Sequence, residues 1–229
     1  MPAPVPCDDK SGLDYRLPML WRMSDFSHVR SHDSSGDPGE LIGNPLPNSY
    51  LRRTFKTFFE FCLPTSATTV PSGSDWFHEI KYGGYRLRVE RDGDRVRLIT
   101  RGGYDWTKRF PWIVEAALNN RMRRFVIDGE AVILSVDGIS DFDALHSGRH
   151  NEEVQLCAFD ILIEGDDDLR KLPLFMRKVN LERLLARRPE GIFINPFERG
   201  EIGPDLFWAA CQMGLEGLVS KRRDRPSIG

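Results

Sequence analysis

Residues 78–86 read HEIKYGGYR, a lysine followed by a glycine pair and an arginine. Alternation over residues 76–80 predicts a short strand, and Gly83 and Gly84 predict a turn that delivers Lys81 and Arg86 to one place. A lysine amine titrates near pH ~10.4, so burial or a nearby cation is needed to free its lone pair for nucleophilic attack. A hairpin with a surface lysine is the plainer alternative. Residues 125–134, FVIDGEAVIL, place Asp128 and Glu130 on one face of a strand, with Gly129 opening the other face to close backbone approach. Two carboxylates among apolar neighbours call for a cation, a metal or a ligand hydroxyl, unless the strand end emerges into water. Residues 155–163, QLCAFDILI, read as a central strand covered on both faces, which sets Phe159 and Asp160 deep. Phe159 is then a core residue or a platform on which a base stacks. Near the end, LEGLVSKRR carries Glu216 into an apolar strand that finishes at Lys221.

The elements needed to hold these residues are legible in the same way. Leu87 and Val89 alternate with Arg86, Arg88 and Glu90, then RDGDR supplies an Asp-Gly turn and residues 96–100 alternate again, the pattern of a hairpin. Arg101 brings a second arginine to a glycine pair at the end of that hairpin. Phe110, Ile113, Val114, Ala117 and Leu118 fall at helical spacing behind Pro111 and predict a helix packed across the sheet. Residues 139–145 read as a short return strand, Leu181, Leu184 and Leu185 mark a helix that ends near the arginines before Pro189, residues 191–197 read as one further strand, and residues 204–213 as a helix closed by Gly214. The aromatic run FKTFFEFCLP opens the folded part, as a short buried segment or a lid. Residues 1–50 are rich in Pro, Ser, Asp and Gly without sustained periodicity and are expected to be mostly disordered, with residues 51–229 forming one domain. His28 and His32 have helical spacing but no further ligands, which argues against a metal site there.

The net charge of -2 across 229 residues argues against a general nucleic-acid coat protein. The average hides an uneven distribution, because residues 81–126 hold 12 Lys or Arg against 5 Asp or Glu. That stretch can face phosphates, or form a solvated face answered by the acidic C-terminal half. Cys7, Cys62, Cys157 and Cys211 lie far apart with no CxxC pair, so neither a zinc site nor a secreted disulfide framework is indicated. No apolar run approaches the ~20 residues of a membrane span and no signal-peptide pattern opens the chain. A soluble protein in a reduced, cytoplasmic setting is expected.

In order, the chain offers EIKYGGYR, TRGGYDW, IDGE, AFDIL and EGLVSK. Each is weak alone, but the ordered series resembles the adenylation domain of ATP-dependent DNA ligases, especially the ligase modules of bacterial end-joining systems. The resemblance covers about residue 58 to about residue 225. It implies an α+β nucleotidyltransferase (ATP-grasp-like) fold, antiparallel sheets enclosing an ATP cleft with helices outside, in a bacterial cytoplasmic protein. It also implies that Lys81 attacks the α-phosphate of ATP, that AMP passes to the 5′-phosphate of nicked double-stranded DNA, and that the adjacent 3′-hydroxyl displaces it. Position by position, Glu79 would accept from the adenine amino group, Arg86 and Arg101 would hold ribose or phosphate oxygens, and Glu130 would bind ribose or metal. Phe159 would stack on adenine, Glu216 would help place Mg²⁺ or Mn²⁺, and Lys221 would contact the α-phosphate.

Two features depart from the family pattern. Gly83 stands where KxDGxR has its aspartate, and the tryptophan with paired lysines that precedes the family's oligonucleotide-binding barrel does not fit into RRDRPSIG. Weak activity alone, or completion by a second chain, is therefore expected. A remnant that binds nucleotide or DNA without catalysis is the alternative of another class. An RNA ligase or capping guanylyltransferase shares the lysine chemistry but matches TRGGYDW and DFDAL less well, and a capping enzyme would use GTP.

Overall fold

The alternation in residues 86–90 is realised as a strand with two different faces. Leu87 and Val89 are fully buried in the main core, while Arg86, Arg88 and Glu90 point to the opposite side. In this computed structural model, which describes residues 19–23, 59–187 and 190–227, that strand belongs to an α+β arrangement of two sheets and four α-helices.

The strands are β1 Met19–Met23, β2 Thr65–Ser66, β3 Trp76–Lys81, β4 Tyr85–Asp92, β5 Arg95–Thr100, β6 Arg124–Val132, β7 Gln155–Glu164, β8 Asp167–Asp168, β9 Ile192–Ile194, β10 Phe197–Arg199 and β11 Gly217–Arg222. The helices are α1 Pro111–Asn119, α2 Phe142–Ser147, α3 Leu174–Leu184 and α4 Gly203–Gln212. One sheet runs β10-β3-β11-β1-β2 and the other β5-β4-β6-β7-β8, with β9 added to β7. Pairing is antiparallel except for β1 on β11 and β9 on β7.

The second sheet has one covered face and one that carries chemistry. Leu87, Val89, Leu98, Ile127, Leu156 and Ile161 meet Phe110, Ile113, Ala117 and Leu181 of the helical layer in one continuous core. Full burial of such side chains stabilises by about 1.5–3 kcal/mol each, before conformational entropy is subtracted. Pro111 occupies the first turn of α1, where its missing N–H costs nothing, and Ile113, Ala116 and Ala117 supply the buried stripe. On the opposite face, Phe59 packs with Val126, Leu162 and Ile163. Of the aromatic run, Phe59 supplies the buried cover, while Phe61 is half-buried and Leu63 exposed.

Several expectations need correction. Within the stretch expected to be disordered, Met19–Met23 forms a strand between β11 and β2. The rest of residues 1–50, including His28 and His32, lies outside the described residues. The return expected over residues 139–145 is a single bridge, Leu134 to Ser140. The chain then enters α2, because Asp141 accepts from the Ala144 N–H at 2.9 Å as an N-cap. The single strand expected over residues 191–197 is split between the sheets at Asn195 and Pro196, where proline removes a ladder donor. Gly83 and Gly84 do make the turn, but neither has a positive φ. Gly84 is required by contact, since a Cβ there would lie 2.3 Å from the Ala131 carbonyl oxygen. Gly129 fits its expectation, because its Cβ would fall 2.7 Å from the Cys157 oxygen. No helix among the described residues is long and apolar enough to cross a membrane.

Candidate active site

Lys81 is the last residue of β3, so its side chain leaves the sheet where pairing ends. Its ammonium forms an ion pair with Glu216, which immediately precedes β11; the two side chains are 25% and 37% exposed. This proximity follows from the register, in which Gly217 lies opposite Lys81. Burial lowers the Lys81 pKa below its ordinary value, and the carboxylate of Glu130 opposes that shift. Desolvation moves this amine toward its neutral, nucleophilic form, while the neighbouring carboxylates hold the proton on it.

The second sheet supplies the facing groups. Arg86 donates from Nε to Asp128 Oδ1 at 3.1 Å and from Nη2 to Oδ2 at 2.8 Å, a fork-on-carboxylate contact. A further donation, from Nη1 to the Cys62 carbonyl at 2.7 Å, commits much of the guanidinium to the protein itself. Asp128 is thus the carboxylate that meets its cation. Glu130, two residues on, has its pKa pushed up to about 7: burial raises it most, Arg86 and Lys81 pull it down, Asp128 adds repulsion, and Arg101 pulls it down further. Arg101 is exposed, and its backbone N–H donates to the Arg86 carbonyl at 3.2 Å. Lys81, Arg86, Arg101, Glu130 and Glu216 are therefore brought together.

A second cluster lies further along β3. Glu79 is 1% exposed, and its two oxygens face Lys178 Nζ and Lys221 Nζ, each at 2.7 Å. Burial would raise the Glu79 pKa, but the two ammonium groups outweigh it and hold the carboxyl below its usual range. Phe159 is half-buried rather than deep, with Lys221 Nζ 4.3 Å and Arg86 Cζ 5.1 Å from its ring centroid. Asp160 is also half-buried and is held by Arg177 at 2.8 Å. The resemblance places Lys221 at the α-phosphate, whereas here its ammonium sits at Glu79 and Phe159. Lys221 pairs with Phe77, four residues along β11 from the level of Lys81, about 13 Å at ~3.3 Å per residue.

Three residues of this region were not singled out by the sequence. Lys178 reads as one charge on a helix, yet it is 1% exposed. Asn195 donates through its amide to Glu79 Oε2 and to the Ile80 carbonyl, both at 3.3 Å, while its backbone N–H reaches the Ala158 oxygen at 2.7 Å, so it stitches the sheets together. Ser140 Oγ accepts from the Gly83 N–H at 2.9 Å. For Asn195, the Asn195-Pro196 pair is a local signal that could have marked the break between strands.

Gly83 also has a physical explanation. A Cβ at this position would lie 3.3 Å from Glu216 Oε2 and 3.4 Å from Ser140 Oγ, so an aspartate would push a second carboxylate against Glu216. Gly83→Asp is therefore expected to weaken whatever Lys81 does by about tenfold rather than to improve it, and Gly83→Asn, of the same shape without the charge, to lose less, read by single-turnover rate.

Residues 55–226 match the family model described as ATP dependent DNA ligase domain. The multifunctional non-homologous end joining protein LigD of Pseudomonas aeruginosa is 37% identical over 169 residues, 71% of this chain and 20% of that protein. DNA ligase C2 of Mycolicibacterium smegmatis is 36% identical over 174 residues, 71% of this chain and 48% of that protein. The solved ligase domain of M. tuberculosis LigD aligns with a TM-score of 0.60 at 31% identity, over 69% of this chain and 52% of that one. A mycobacterial DNA ligase D complexed with ATP and MES aligns with the same score of 0.60 at 30% identity, over 70% and 52%. The chain thus spans only part of the length of the relatives it matches.

Proposed function

The chain belongs to the ATP-dependent DNA ligase family, and from that premise we propose that it is an adenylating domain in which Lys81 is the nucleophile. The observation that carries this reading is Lys81 itself, partly desolvated, paired with Glu216 and near Glu130 in the site shared by the two sheets. The amine lone pair forms an N–P bond to the α-phosphate of ATP as the bond to pyrophosphate breaks, and Glu216, in contact with Nζ, is placed to take the proton. Arg101, exposed beside Glu130, and the remaining donors of Arg86 face the phosphate or ribose oxygens. Phe159 offers its ring to adenine, and Glu79 offers an acceptor to the exocyclic amine.

Glu130 and Glu216 are the residues that would hold Mg²⁺ or Mn²⁺. The fit is chemical, since both are hard oxygen donors and Glu130 is a buried carboxyl whose raised pKa a cation would relieve. When bound, the metal supplies charge neutralisation at the phosphates. Because Glu130 titrates at about 7, adenylation at limiting Mg²⁺ is expected to rise with pH by up to about tenfold per unit below pH ~7 and then to flatten. Glu130→Gln removes that limb and leaves only the slower rise due to Lys81. A pH-rate profile of AMP uptake for both proteins checks this.

The proposed acceptor is nicked double-stranded DNA in a bacterial cytoplasm, with a second chain adding further contacts to the duplex. Denaturing gels of a labelled nick test it. A 5′-phosphorylated nick is expected to yield adenylated strand and sealed product with ATP, and a 5′-hydroxyl nick neither. Adenylated protein that leaves every such nick unchanged, with or without a second chain, would overturn the DNA step.

A further inference from the structure

The charges around Glu79 do not balance. One carboxylate, 1% exposed, meets two ammonium groups, and Asp160, a further acid that acts on Lys178, is itself held by Arg177. The two lysines sit differently. Lys221 lies over the ring of Phe159, 4.3 Å from its centroid, where a stacked base and its exocyclic group would arrive. Lys178 comes from α3, is itself 1% exposed, and lies 4.9 Å from the Phe197 centroid. Neither Lys178 Nζ nor Glu79 Oε1 has an aligned hydrogen-bond partner among the described residues, although they are 2.7 Å apart. The Asn195 Oδ1 is buried without a partner as well. A base that stacks on Phe159 and reaches Glu79 must displace Lys221, and Lys178 then remains as the counter-charge.

We propose that Lys178 is a positioning residue that sets purine specificity: by keeping Glu79 ionised after Lys221 is displaced, it leaves an acceptor-only group that admits a 6-amino purine and rejects a 6-oxo purine. This rests on the ligase-domain reading above. A carboxylate accepts from the N6 amine of adenine and repels the O6 of guanine. A protonated carboxyl carries an O–H that donates to O6, so discrimination depends on the charge state of Glu79. The groups that face Glu79 are Lys178 of α3, Lys221 of β11, the Asn195 amide and the Cys157 thiol of β7, whose pKa burial pushes well up and the Glu79 charge raises further. Of these, Lys178 and Lys221 carry positive charge.

Equilibrium titration of the full 229-residue chain with ATP and with GTP, at about pH 6, 7 and 8.5, tests the assignment. The wild type is expected to prefer ATP at each pH. In Lys178→Met the preference falls by about tenfold or more at pH ~6 and returns as pH rises and Glu79 ionises, while Lys178→Arg keeps it. A purely structural role would weaken both nucleotides alike, with no pH dependence in their ratio. Should Lys178→Met fail to fold, Lys178→Gln decides, because it keeps a donor toward Glu79 without the charge and should lose the preference at pH ~6 in the same way. Undiminished ATP preference in the variants overturns the assignment to Lys178 alone. Wild-type chain that binds neither nucleotide overturns the ligase-domain reading, and this inference with it.

Discussion

Asp128→Ala is expected to lower the unfolding free energy by about 3 kcal/mol or more, among the largest losses for any single polar substitution here. Asp128 and Arg86 are 6% and 14% exposed and joined by two hydrogen bonds, so truncating the acid strands a buried guanidinium whose pKa the pair now holds above its ordinary value. The lost contact matters less than the cation left behind. Asp128→Asn keeps one acceptor and should cost roughly half as much. The same change removes the repulsion that Asp128 exerts on Glu130, so the Glu130 pKa should fall below about 7 in Asp128→Asn. Urea denaturation gives the first quantity and the pH-rate profile the second. A loss under about 1 kcal/mol for the alanine variant would mean that Arg86 finds another acceptor in the cleft.

Lys81→Ala and Lys81→Arg should both reduce AMP uptake by at least about 10³-fold, to background, with little change in stability. Alanine has no nucleophile. Arginine keeps the ion pair with Glu216 but holds its proton at any working pH, so charge without a lone pair is not enough. The paired comparison separates nucleophile from counter-ion. If Lys81→Arg retains AMP uptake within tenfold of wild type, the bond forms on another residue.

What could be read from sequence was whatever depended on near neighbours. Alternation fixed the faces of β4 and β6, the Asp-Gly turn fixed the hairpin, and Gly129 announced a close backbone pass that Cys157 supplies. The same-face rule put Asp128 beside Glu130, though it could not say that one would be neutralised and the other left near neutrality. Long-range pairing hid the rest. Nothing local marks Lys178 as buried, because its partner Glu79 lies 99 residues earlier and meets it only when α3 closes over the sheets. Asn195 resembled one residue of a strand until the chain divided there between two sheets. Gly84 looked like a turn glycine and is one, but the contact with Ala131 that excludes a side chain is made across strands. The place of Lys221 in the series was legible, while its contacts with Glu79 and Phe159 are made across strands and were not.

The most direct test of the central claim is the intact mass of the purified chain after incubation with ATP and Mg²⁺ or Mn²⁺, followed by peptide mapping of any adduct. A gain of one AMP is expected, on the peptide that contains Lys81 and labile to acid as a phosphoramidate is. An unchanged mass with both metals, or AMP on any other residue, would contradict it.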